Sequence, residues 1–71
     1  MAGTATRYEF LVPGELSESV LQAFPSLQAT RGPAGGTVLY GPVRDESELS
    51  GLLQRFASLA VRVVEVRQLP D

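Results

Sequence analysis

Apolar residues in this chain switch from alternate spacing to helical spacing and back, twice over. Tyr8, Phe10 and Val12 alternate with Glu9 and Leu11, which predicts a first strand over Tyr8–Val12, closed by Pro13-Gly14. Leu16, Val20, Leu21 and Phe24 then recur on one stripe of a helix. Ser17 is its expected N-cap, with Leu16 and Leu21 at the two positions of a hydrophobic staple, and Pro25 stops it. Strands are expected over Leu27–Arg31 and Gly36–Tyr40, joined by the turn formers Gly32 to Gly36, with Gly41-Pro42 as the stop. Asp45 and Glu48 form a capping box ahead of Leu49, Leu52, Leu53, Phe56 and Leu59, which predicts a second helix. Val61–Val66 reads as the last strand, and Gln68–Asp71 as a short tail.

A weak internal repeat supports this layout. Val20-Leu21-Gln22-Ala23-Phe24-Pro25-Ser26-Leu27 is echoed by Leu52-Leu53-Gln54-Arg55-Phe56-Ala57-Ser58-Leu59. Strand–helix–strand, taken twice, is the split βαβ arrangement of a ferredoxin-like domain of the α+β class. The right-handed crossover rule places one strand inside each parallel pair. A four-stranded antiparallel sheet of order 4-1-3-2 follows, with strands one and three central and both helices on one face. Residues 7–69 are expected to form this single domain, after a disordered tail over Met1–Thr6.

Composition narrows the chemistry. The 71 residues contain no cysteine and no histidine, and their basic residues are all arginine. This leaves no thiolate, no imidazole proton shuttle and no lysine for Schiff-base chemistry. The serines have only carboxylates nearby as bases, so nucleophilic catalysis is disfavoured. The acidic clusters Glu15/Glu18 and Asp45/Glu46/Glu48 sit at helix starts, where the helix dipole favours them without any metal. Gly32–Gly36 lacks the Lys-Ser/Thr of a phosphate loop and joins two strands. No catalytic residue, cofactor or metal site is expected.

The net charge is −2 with the signs interspersed, which argues against a DNA or RNA partner. Tyr8, Phe10 and Tyr40 on central strands permit an RNA-stacking alternative, although no basic-aromatic motif accompanies them. No apolar run is long enough to span a membrane, and a cytoplasmic location is expected.

Strands one, three and four carry apolar residues on both alternating sets, so the uncovered sheet face is expected to need a cover. A second copy is the simplest one, because a single patch then has only to match itself. Tyr8, Phe10, Tyr40 and Val63 are the expected contact surface of this homodimer. The function expected is a non-enzymatic protein-interaction or regulatory module, self-associating or covered by another protein. A small-ligand-binding or cyclase-like accessory protein with its site at the dimer interface is the alternative.

Phe10–Leu16, Thr37–Pro42 and Val64–Leu69 also carry a resemblance. Residues 7 to 69 resemble short, uncharacterised actinobacterial proteins, and the shared motifs are structural punctuation, so no activity is implied. The layout is similar to that of ACT-type regulatory domains as well, at the level of fold alone.

Overall fold

The computed structural model describes residues 5–70. Its elements are β1 (Thr6–Val12), α1 (Glu18–Leu21), β2 (Gln28–Arg31), β3 (Thr37–Val43), α2 (Glu46–Ser58) and β4 (Glu65–Gln68). The strands form one antiparallel sheet of order β2-β3-β1-β4, which is the expected order read from the other edge.

The sheet register decides which side chains enter the core. Phe10 lies opposite Leu39, and Val12 opposite Thr37. Phe10, Val12, Leu39 and Val43 are buried on the same side as Phe24, Leu52 and Phe56. Three phenylalanines meet there. Phe24 stacks on Phe56 with centroids 4.3 Å apart, and Phe56 tilts against Phe10 at 5.3 Å. The repeat thus brings its two matching phenylalanines face to face.

Helix α1 is a single turn. Ser17 Oγ accepts from the Val20 N–H at 3.3 Å, as an N-cap should. Beyond Leu21 the chain tightens into three-residue bonds, from the N–H groups of Ala23, Phe24 and Leu27 to the carbonyls of Val20, Leu21 and Phe24. Pro25 causes this, because it has no N–H to donate and disfavours helical geometry at Phe24. Helix α2 is longer and better capped. Asp45 Oδ1 accepts from the Glu48 N–H at 2.9 Å, while Glu48 Oε1 accepts from the Arg44 N–H at 2.7 Å. The box therefore closes one residue earlier than the usual pattern, on Arg44 in place of Asp45.

The far end of α2 explains where β4 begins. Ala60 N–H donates to Ala57 C=O, and Val61 N–H to Phe56 C=O at 2.8 Å, the paired bonds of a Schellman motif. Ala60 therefore adopts φ 59°, a left-handed conformation that favours glycine. Val61 is used up by the cap, so residues 61–64 form a return segment. Strand four covers Glu65–Gln68, where Val61–Val66 was expected.

Two other boundaries move outward. β3 runs through Gly41-Pro42 to Val43, past the expected stop. Arg7, opposite Pro42, turns its carbonyl toward β4, where it accepts from Leu69 N–H at 2.7 Å. Pro42 therefore faces away from β1, toward a side that β2 reaches only as far as Tyr40, and its missing N–H costs no ladder bond. β1 starts at Thr6, paired with Val43; residues 1–4 of the expected tail lie outside the described residues.

Gly41, opposite Tyr8, lets the chain after α1 cross close to the sheet: a Cβ there would lie 2.6 Å from Ser26 O and 3.0 Å from Leu27 Cδ2. Gly51, inside α2, would place a Cβ in open space. Urea unfolding is expected to separate the two: Gly41→Ala should cost about 2 kcal/mol by overpacking, and Gly51→Ala should gain about 1 kcal/mol of helix propensity. Ala60→Gly should add about 1 kcal/mol by relieving the left-handed alanine, with an unchanged denaturant slope.

Candidate interaction surface

With Phe10 and Leu39 turned to the helices, alternation sends the neighbouring side chains to the other face. That face carries Arg7, Glu9 and Leu11 from β1, and Val38, Tyr40 and Pro42 from β3. The edge strands add Gln28 and Thr30 from β2, and Glu65 and Arg67 from β4. At its centre Leu11 and Val38 lie opposite each other, both half-buried.

Polar pairs frame this aliphatic centre. Glu9 lies directly opposite Arg67, whose Nη2 and Nε approach Glu9 Oε1 at 3.0 and 3.2 Å. Both side chains are partly in water, so the pair sets local order and contributes under about 1 kcal/mol. Tyr40 lies opposite Gln28, and its hydroxyl donates to Gln28 Oε1 at 3.2 Å. Between these pairs, Leu11, Val38, Pro33, Glu65 and the Glu9–Arg67 pair line a shallow hollow of about 300 Å³. Carboxylates are the only titratable acids or bases in it besides the guanidinium, and no nucleophile stands beside them.

The expected contact residues divide between the two faces. Tyr40 is on the uncovered face. Phe10 is fully buried under the helices, and Tyr8 packs against the same core, so their placement on the open face is corrected. Val63 belongs to the return segment after α2 and packs on the core as well. The physical reason is register. Tyr8, Phe10 and Val12 do share one face, but the phenylalanine stack draws that set inward, and a shift of one residue exchanges the faces. Arg7 and Val43 carried the missing signal. They lie just beyond the expected strand limits: Arg7 makes the Arg7–Glu9–Leu11 set of β1 polar-ended, and Val43 adds an apolar residue to the Leu39 set of β3.

The correction also bears on RNA stacking, since Tyr40 alone of the three aromatics remains on the open face. The other polar clusters have structural roles. Asp45 and Glu48 cap α2, and Gly32–Gly36 forms the hairpin connection, where Gly32 N–H donates to Gly36 C=O at 2.7 Å and Ala34 and Gly35 are left-handed. Thr37 Oγ1 donates to Gly14 C=O at 2.8 Å, tying the hairpin to the loop after β1. Arg55 Nη1 donates to Ala23 C=O at 2.8 Å, joining α2 to the end of α1. A second hollow of about 310 Å³ lies between the loop before α1 and the hairpin, where Leu16 and Leu21 face Arg31, with Glu15 beside them. Among the described residues no three carboxylates gather as metal ligands, and no helix is long and apolar enough to cross a membrane.

No curated protein and no solved structure matches the chain. Residues 7–67 match a family described as a domain of unknown function, DUF8691. The match extends from β1 into β4 and takes in both helices, and the chain belongs to this family.

Proposed function

We propose that the chain is a ferredoxin-like, non-enzymatic interaction module whose open sheet face is its contact surface, with a second copy of itself as the first partner. The observation that carries this reading is the half-buried Leu11–Val38 centre, left uncovered by either helix and bordered by Tyr40. Aromatic and aliphatic groups inside a polar rim are the ordinary anatomy of a protein contact. Charge supports self-recognition: Arg7 and Arg67 are balanced by Glu9 and Glu65, so the face can meet its own image without a net repulsion. The absence of a nucleophile–base pair around the hollow supports binding over catalysis.

Light scattering over a dilution series tests the reading. Wild type is expected to lose mass on dilution, with Val38→Asp and Leu11→Glu dissociating at concentrations at least about tenfold higher, since each places a charge in the contact centre. Both variants should keep the wild-type circular dichroism spectrum. Phe10→Glu should unfold the chain, because it buries a carboxylate in the aromatic core. A wild-type mass that stays monomeric at every concentration, or association unchanged in both face variants, would overturn the self-contact.

A further inference from the structure

The open face is not the only uncovered surface. Strand β4 lies at the sheet edge, and all four of its residues are exposed. Val66 within it and Val64 just before it are two of the three large hydrophobic residues exposed among the described residues, at 40% and 48%. Edge strands usually carry features that discourage pairing. Here the charges do the opposite.

We infer that β4 pairs antiparallel with β4 of a second copy about a two-fold axis through Val66, joining two sheets edge to edge. Three observations converge on this register. First, the segment is self-complementary. With Val66 on the axis, Glu65 of one copy falls opposite Arg67 of the other, and the reverse pair forms by symmetry. Second, the backbone parity fits. Leu69 N–H donates to Arg7 C=O, so Arg67 and Glu65, in the same alternating set, turn their backbone groups toward β1. Val66 and Gln68 therefore turn theirs outward. Val66 can exchange N–H and C=O bonds with its symmetry mate, while Val64, whose N–H donates to Leu11 C=O at 2.8 Å, is turned to β1 and lies outside the new ladder.

Third, the side chains fall into the spacing each needs. Glu65 and Arg67 of the two copies occupy a non-hydrogen-bonded pair, the closer type, in which opposite charges interact best. The new pair continues the Glu9–Arg67 bridge into a row of alternating charge across the joined sheets. Val66 meets its own copy on the opposite side, where it loses exposed apolar surface. A slip of one residue would set Glu65 against Val66 or Gln68, and an axis moved to Glu65 or Arg67 would set that charge against its own copy, so the charges select a single alignment.

This contact goes beyond the open-face reading and leaves Leu11, Val38 and Tyr40 uncovered, so the two can be tested apart. The chain contains no cysteine, so Val66→Cys introduces a lone thiol that the axis places next to its own copy. The experiment is made in the Val38→Asp background, which removes the proposed face contact. Under mild oxidation, Val66→Cys is expected to form a disulfide-linked dimer at least about tenfold faster than Arg62→Cys, an exposed control, because the paired edges raise the effective thiol concentration. Adding Glu65→Arg, which sets arginine opposite Arg67 in both symmetric pairs, should bring the rate down to that of the control. Equal rates for the two cysteine variants, or a Val66→Cys rate indifferent to Glu65→Arg, would overturn the edge pairing. A loss of association in Val38→Asp alone would leave it standing.

Discussion

The stack of Phe24 on Phe56, with Phe10 tilted beneath, is the contact on which the other packing depends. One turn of helix in water is not stable by its own hydrogen bonds, because nucleation costs more than so few bonds return. Helix α1 is in that position. It is held by Val20, Leu21 and Phe24 against the core, and by Arg55, which satisfies the Ala23 carbonyl from the neighbouring helix. Phe56 and Arg55 are consecutive residues of α2, so one turn of the longer helix supports the shorter one twice. In a chain without disulfides, aromatic area concentrated at one point does what a larger core would spread over many residues.

The same stack orients the sheet. Phe10 can join it only if β1 turns its even-numbered residues to the helices, and pairing then carries Leu39 and Val43 in with it. Everything on the uncovered face follows from that choice, including the Glu9–Arg67 bridge and the Leu11–Val38 centre. The face is consequently more polar than an alternation of valines and tyrosines implies. Its apolar part is a narrow strip between charges, a shape that favours a specific, registered contact over indiscriminate sticking.

Much of this architecture was legible in the residues. Ser17 and Asp45 announce the caps, the repeat announces two equivalent units, and the crossover rule delivers the strand order. What was not legible was decided by long-range pairing. Gly41-Pro42 has the local chemistry of a stop, yet β3 continues because β2 is too short to need the Pro42 donor. Val61 and Val63 look like strand residues, yet the Schellman bonds of α2 claim Val61 and displace the start of β4. The face of Tyr8 and Phe10 is ambiguous for a related reason: Leu11 and Leu39 make both alternating sets look apolar within the expected strand limits, and Arg7 and Val43, just outside them, break the tie.

Several polar side chains of this small domain are committed to the fold itself. Asp45 and Glu48 hold the start of α2, Thr37 ties the hairpin to Gly14, and Glu9 and Arg67 bind two strands together. Groups fixed in this way are poor candidates for acid–base work, which needs a side chain free to change its protonation and its partner. Two surfaces are left over: a strip of aliphatic residues on the uncovered face, and an exposed edge strand that carries Glu65 and Arg67 around Val66. The proposed contacts use both, and neither requires a reacting atom. For a domain with so little core, the physical advantage of the proposed contacts is direct, because each apolar residue covered by a partner adds burial that the isolated fold is too small to provide.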